Sequence, residues 1–528
     1  MHPRFPVLAV AALLVIYALG SVLDVMEVDA AQYATMAGEM ARGADPLHLH
    51  FRGQAYLDKP PLLFWASALT FKLFGIHNWS YKLPSILFAL LGLWSTFRLT
   101  KLYHGREVGV NAALMLGSSL AMVLMTNDVR CDTMLMGCVI TAVWCGAEYL
   151  ERARWSWLFG ASLAIGAGML TKGPMGLMAP LLALGGHVLL KRKWSVLRDP
   201  RLLLGPLVIG LMLLPMCLGL FEQFGAHGLR FFFWEQSFGR LTGENVWKDD
   251  STPLFFTHEV LWQLVPWTFF VLGGLFLDLR LLFGSRRVEA KEWIALSGIV
   301  LVFTALSLSH FKLPHYLYVI HPLFCIQAAK AIPRMSSKAW TGTQLTFVAI
   351  VLLGGVIVML WSFRSMSWSV VALVLCVAVA IHAWRSTGEA RMIWTSFWAM
   401  CALALLLNVH FYPALLPYQA NAQVGRWVHT HKVPSEKFIA VGVGGTALDH
   451  YSGLSVRYAG SAWEVKDLVI SGTIVYTDST GRADLTELGH IPMEELHFPD
   501  FKVQLLNLAF LDPTRRDSQV RSHYLLKF

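Results

Sequence analysis

The sequence predicts a polytopic α-helical membrane protein with a small α/β domain at its C-terminal end. Three observations point there. Of 528 residues, 55% are hydrophobic and only 15% charged, whereas a soluble domain carries about 25% charged residues. Apolar segments of about 20 residues, the length that crosses a bilayer core, recur along most of the chain, and the mean hydropathy is +0.52. After about residue 411 the polarity returns, with short β-branched runs separated by glycine-rich turns, as in "KFIAVGVGGTALDHYSG" and "DLVISGTIVYTDSTG".

The first apolar segment follows "MHPRF" and shows no small-residue cleavage site, so it is expected to remain as an anchor. Candidate spans are roughly 6–23, 81–99, 107–125, 133–150, 155–170, 174–190, 202–221, 256–278, 293–308, 315–331, 343–362, 368–384 and 392–410. That is about thirteen, an odd number, which puts the two ends on opposite sides. Lys and Arg decide which side is which. Arg98, Lys101 and Arg106, then Arg152 and Arg154, Lys191–Lys193, Arg286 and Arg287, Arg334 and Lys338, and Arg385 and Arg391 fall in alternate connections. Such loops stay in the cytoplasm. The N-terminus is therefore expected inside and the tail 411–528 outside, in the periplasm of a bacterial inner membrane. The transmembrane part is read as 1–410, with outer loops at 24–80 and 222–255. The net charge of +9 is distributed over these loops and not gathered on one face, which argues against a nucleic-acid partner. The seven cysteines are scattered without a CxxC pair, so they read as buried apolar residues.

The outer loops hold the polar side chains. In "EVDAAQYATMAGEMARG", Tyr33, Met36, Ala37 and Met40 form one helical stripe, predicting a helix lying flat with that face on the membrane. Asp29 stands at its start with Gln32 three residues on, which is also the pattern of a helix cap. "YLDKPPLLFW" places Tyr56, Asp58 and Lys59 before Pro60 and Pro61, which suit a helix start; Lys59 could equally snorkel to the headgroups. In "NDVRCDTML", Asp128 and Asp132 are four apart, hence on one face if helical, with Arg130 directed elsewhere; a solvated helix end is the plainer alternative. "MLTKGPMG" puts Lys172 in a tight return. "FWEQSFGRLTGENVWKDD" offers Glu235, Arg240 and Asp249–Asp250, and "HFKLPHYLYVIHP" offers Lys312, His315 and Tyr316. Inner loops hold plain Lys/Arg linkers. Chemistry is therefore expected at the outer face. No Walker GxxxxGK[ST] sequence is present, so an activated donor would have to arrive on a lipid, whose phosphate suits Lys and Arg at headgroup depth.

On "VDAAQYATMAGEM", "YLDKPPLLFW", "VRCDTML", "MLTKGPMGLMAPLLAL" and "HFKLPHYLYVIHPLF" the chain resembles the aminoarabinose-transferase branch of the GT-C glycosyltransferases, with protein O-mannosyltransferases as more distant relatives. The resemblance covers roughly 1–410. It implies a GT-C fold of thirteen spans with two surface helices in the first outer loop. It implies a sugar donor carried on undecaprenyl phosphate and a lipid A-type or other envelope acceptor. By the matching motifs, Asp29 and Asp132 would be catalytic, and Lys59, Arg240 and Tyr56 would bind the donor phosphate. Tyr33, Asp128, Lys172, Lys312, His315 and Tyr316 would line the substrate. The family also implies a divalent metal between Asp58 and a residue of the large outer loop, where Glu235 is the nearest acid. An all-oxygen pair favours magnesium or manganese over zinc. The chain departs from the family pattern at Ala30, Gln32 and Asp58, where Glu, Arg and Glu are usual. Three alternatives stay open: a protein O-glycosyltransferase of the same fold, a polytopic transporter, and a lipid-binding protein without activity.

Overall fold

In a computed structural model, residues 4–236, 239, 251–284 and 290–528 are described. The N-terminal four-fifths is a helical bundle. Helices α1 (Arg4–Ser21), α2 (Asp29–Ala41), α3 (Leu62–Phe74), α4 (Asn78–His104), α5 (Arg106–Ser118), α6 (Leu120–Asn127), α7 (Cys131–Arg152), α8 (Trp155–Lys172), α9 (Met175–Lys191) and α10 (Leu204–Phe224) come first. They are followed by Phe255–Gln263, Thr268–Phe283, Ile294–Ser307, His321–Ala331, Lys338–Ser362, Met366–Arg385 and Gly388–Leu406. Among the described residues six helices are long and apolar enough to cross a membrane, and the pair α5–α6, bent by 53°, would make seven. Four shorter apolar helices, Pro6–Ser21 and Leu62–Phe74 among them, accompany these.

Burial orders the bundle. In α7, 83% of the apolar window is buried, against 11% in Met366–Arg385, so α7 is the central post and Met366–Arg385 lies at the periphery. Three expected spans are not single helices; one of them, 315–331, is a 3-10 helix over Pro314–Ile320 followed by the α-helix His321–Ala331. The segment 107–125 breaks at Ser119, whose extended backbone starts α6 and whose Oγ accepts from Met122 N. The segment 256–278 breaks around Pro266, which lacks the amide proton a continuing helix needs.

The first outer loop differs from its expected placement. The stripe Tyr33, Met36, Ala37 and Met40 is buried, but so are Ala30, Ala31, Ala34 and Gly38 on the other faces. Helix α2 is clamped between α3 and the helix Thr446–Ser452 of the tail, in one core with Phe64, Tyr81, Met134 and Ala447. Its apolar face covers protein, not lipid. The small residues that made it look weakly amphipathic are those that let two partners approach.

Residues 438–527 form a five-stranded mixed sheet in the order β4–β3–β5–β7–β6, with β3 Phe438–Val441, β4 Arg457–Ala459, β5 Ile474–Asp478, β6 Glu494–Asp500 and β7 Arg521–Lys527. Strand β3 runs parallel to β4 and β5, while β7 is antiparallel to β5 and β6. The short hairpin β1–β2 (His50–Phe51, Gln54–Ala55) turns through Arg52 and Gly53, both at positive φ, as the twist of a two-residue hairpin requires. That turn sends Arg52 to the tail carboxylate Asp449 at 2.7 Å.

The tail also holds the segment that leads into α2. Arg426 pairs with Asp24 at 2.6 Å, and Glu27 N donates to Gln419 Oε1. The Glu27 carboxylate accepts from Ala447 N and Asn421 Nδ2, and Thr446 Oγ1 donates to Val28 O at 2.6 Å. Burial pushes the Glu27 carboxyl up in spite of those two donors.

Candidate active site

Helix ends place the charged groups. Asp132 lies in the first turn of α7 and Lys172 in the last turn of α8, each where the helix dipole favours its sign. They meet at 2.5 Å with both side chains largely buried. The return that delivers Lys172 is tight because Gly173 adopts φ +67° and because a Cβ at Gly176 would overlap the Gly168 backbone. The Lys172 ammonium also lies over the Tyr316 ring, 3.9 Å from its centroid. His315 Nε2 approaches the other Asp132 oxygen at 3.8 Å.

Lys59 enters from the first outer loop, just before the two prolines and α3, and pairs with Asp58 at 2.7 Å. Gln236 of the large outer loop donates to the Asp58 carbonyl, pinning this turn. Lys59, Asp132, Lys172, Gln236 and Tyr316 then close one end of a cavity whose remaining wall, apart from Ser309, is apolar, including Leu135, Met178, Leu182, Val302 and Leu306. An apolar trough with cations at one end has the polarity of a long-chain lipid phosphate.

A second group lies beyond it. Arg130 donates to Asp29 Oδ2 at 2.7 Å and to Asp128 Oδ2 at 2.9 Å. Burial opposes a charge on Arg130, yet Asp128 and Asp29 hold its guanidinium above the usual range. This overturns two expectations. Asp128 and Asp132 do not share a helix face: Asp128 is extended at the end of α6 and Arg130 is extended before α7. Arg130 is not directed elsewhere; it is the link between Asp29 and Asp128. Nor does Asp29 cap α2, since Val28 holds the cap position without a side-chain cap bond. Asp128, Arg130 and His315 line a cavity next to the apolar one.

The remaining expected residues divide. Tyr33 and Tyr56 both pack on Phe64, and burial raises both hydroxyls well above their usual range, so each is a neutral donor and not a base. The Tyr56 hydroxyl has no hydrogen-bond partner among the described residues. Lys312 bonds Ser251 O and Oγ, so it tethers the end of the large outer loop and does not join the Lys172 group. Arg240 and Asp249–Asp250 lie outside the described residues. Asp58 is engaged with Lys59, and Glu235 pairs with Arg230 at 3.0 Å; no group of three metal-ligating side chains occurs among the described residues. Among the described residues the expected metal pair therefore has no third ligand. Arg130 and Gln236 are the contributors that the sequence reading missed; Arg130 is flanked by acids on both sides, which was its available signal.

The fold is the GT-C fold of membrane proteins, largely helical with several apolar spans. The particular relatives agree with the motifs. A family model described as dolichyl-phosphate-mannose-protein mannosyltransferase matches residues 58–218, starting at the Asp58–Lys59 pair. The chain is similar to the undecaprenyl phosphate-alpha-4-amino-4-deoxy-L-arabinose arabinosyl transferase of Pseudomonas aeruginosa (strain LESB58), with 27% identity over 403 residues, 74% of this chain and 71% of that one. Its fold matches the crystal structure of ArnT from Cupriavidus metallidurans bound to undecaprenyl phosphate, with TM-score 0.74 and 20% identity over 92% of this chain and 95% of that one. An Archaeoglobus fulgidus oligosaccharyltransferase, in a complex with zinc and sulfate, shares the fold more loosely, at TM-score 0.51 and 12% identity over 89% of this chain and 67% of that one.

Proposed function

We propose that the protein is an inverting glycosyltransferase that moves a sugar from undecaprenyl phosphate, or a polyprenyl phosphate like it, to a lipid A-type or other envelope acceptor. One observation carries this reading: the apolar cavity between α7, α9 and the helix Ile294–Ser307 ends on Lys59 and Lys172. The polyprenyl chain occupies the apolar length and its phosphate meets the two cations. Arg240, in the same outer loop as Gln236, supplies a further cation. The names of the similar proteins support the donor.

As the glycosidic bond breaks, its electron pair stays with the phosphate oxygen. Fixed cations there stabilise the transition state more than the ground state. The acceptor oxygen attacks the opposite face of the anomeric carbon, which inverts it. Asp29, held by Arg130, orients that oxygen and takes its proton when it is a hydroxyl. Asp132 holds Lys172 and His315 in place. No step is routed through a metal. The reaction runs at the outer face, with the N-terminus in the cytoplasm, thirteen spans in 1–410 and the tail 411–528 outside; the Lys/Arg distribution supports this sidedness. A transporter would place its polar groups along a through-path, whereas the outer-loop charges of this chain gather around neighbouring cavities.

The test is release of polyprenyl phosphate and transfer of its sugar by purified protein in nanodiscs, compared with Lys59→Ala. Equal turnover by the two proteins would refute the donor assignment.

A further inference from the structure

A third cavity lies between the tail and the start of α2. It is walled by Glu27 and Asp29 on one side and, on the other, by Gly442–Gly444 and Gly460, which follow β3 and β4, and by Asp478, the last residue of β5. Crevices outside the carboxyl ends of parallel strands are where open α/β sheets take their ligands. This one opens onto Asp29 and Arg130, so a molecule in it meets the groups assigned to the acceptor.

Its chemistry is specific. Carboxylates match Lys and Arg side chains in number around the lining. On the inner wall the charges are already spent: Arg130 on Asp29 and Asp128, and Arg52 on Asp449, which lies behind the wall. The cations Lys502 and Arg521 are exposed, so they stand at the mouth. Gln419 is 3% exposed, and its Nε2 has no partner among the described residues while its Oε1 is occupied by Glu27 N. A buried amide donor without a partner is destabilising unless a ligand supplies an acceptor. A wall of paired charges, carboxylate oxygens able to accept a further bond and, among the described residues, one amide donor without a partner suits hydroxyl groups. It offers a phosphate no unneutralised cation except at the rim.

We propose that this cavity binds the polyhydroxylated head group of an acceptor glycan and that the sugar is transferred to one of its hydroxyls, not to a phosphate. This rests on the glycosyltransferase reading above. The acceptor oxygen forms the new C–O bond at the anomeric carbon, the bond from that carbon to the lipid phosphate oxygen breaks with its electrons on the phosphate, and the hydroxyl proton passes to Asp29. Gln419 Nε2 donates to one hydroxyl oxygen, and Asp478 accepts from another.

The test uses the full chain in native membranes with a photo-crosslinking residue at Leu505, which lines the cavity, and a control at Leu508, which is exposed and does not. The expected result is a glycan-bearing adduct from Leu505, roughly tenfold over the control; recovery in the organic or the aqueous phase shows whether the glycan is lipid-linked or soluble. A companion assay in nanodiscs uses lipid A as the acceptor probe, alongside lipid A stripped of its phosphates. Both forms are expected to accept the sugar. Gln419→Glu, which keeps an acceptor for Glu27 N, and Asp478→Asn, which keeps an acceptor for Gly481 N, are expected to raise KM for the acceptor about tenfold, the loss of one hydrogen bond, with KM for the donor and its slow hydrolysis by water unchanged. An adduct of polyprenyl phosphate alone, a protein adduct, no adduct, or sugar found only on phosphate would overturn the assignment. Absence of any donor hydrolysis or transfer would instead sink the glycosyltransferase reading, so the two failures are distinguishable.

Discussion

Lys59 and Lys172 look alike in sequence, but burial separates what each substitution should do. The Lys172–Asp132 pair is largely removed from solvent, and breaking such a pair costs about 3–5 kcal/mol because the surviving charge is stranded. Lys172→Met should therefore lower thermal stability sharply, and adding Asp132→Asn should restore most of it without restoring turnover. If the double variant regains activity along with stability, the pair is structural only. Asp58, the partner of Lys59, is half-exposed, so Lys59→Ala should leave melting nearly unchanged yet lower turnover by about a hundred- to a thousandfold, by analogy with the loss of one oxyanion donor. Asp29→Asn keeps the shape and the Arg130 contact but removes the proton acceptor, and it should abolish transfer to a hydroxyl while the protein still reaches the membrane. Near-normal turnover would leave Asp29 a structural anchor for Arg130. Glu27 adds a pH dependence. Its folded carboxyl titrates above its unfolded value, so its protonation favours the fold. That contribution is fully present below the unfolded value, about 4.3, and is lost as pH rises through the raised folded value. Glu27→Gln should flatten the melting-temperature profile over that window, with its gain in stability appearing on the alkaline side; an unchanged profile would show that Glu27 is not charged there.

At the scale of elements, two helix termini and two breaks make the site. The α8–α9 return was legible in "TKGPMG", because a glycine at positive φ followed by a proline can do little else. The α6–α7 break was legible as the gap between the spans 107–125 and 133–150, but the course of its backbone was not. Asp128 and Asp132 have helical spacing, and only the extended backbone from Asp128 to Arg130 shows that they belong to different cavities. The placement of α2 was half legible: its stripe gave the helix, but its second buried side depends on a tail helix about 400 residues later. The groove between α7, α9 and Ile294–Ser307 makes its own prediction. Leu306→Trp and Met178→Trp fill its apolar length and do not touch the cations. They should raise KM for a long-chain donor by tenfold or more, about 1.4 kcal/mol, and leave a short-chain donor analogue unaffected. Equal effects on both donors would place the polyprenyl chain elsewhere.

Across the whole molecule, hydropathy and the Lys/Arg bias gave the membrane class and the side on which chemistry is expected, because both follow from transfer free energies that need no tertiary contacts. They could not give the grip of the tail on Asp24, Glu27 and Val28, which joins residues as many as 420 positions apart. That grip joins the tail to the candidate site, since it fixes the segment that leads to Asp29. Reporter fusions after about residue 415 and near Arg192 should read on opposite sides, periplasmic and cytoplasmic; the same side for both would remove the topology on which the outer-face site depends. The central claim is that a lipid phosphate, seated on Lys59 and Lys172, carries the sugar. Single-turnover transfer from undecaprenyl-phosphate-linked sugar by the purified protein in nanodiscs tests it most directly. The account predicts stoichiometric release of undecaprenyl phosphate with inversion at the anomeric carbon, slowed by about a hundred- to a thousandfold in Lys59→Ala; release at an unchanged rate in that variant, or retention of configuration in the product, would contradict it.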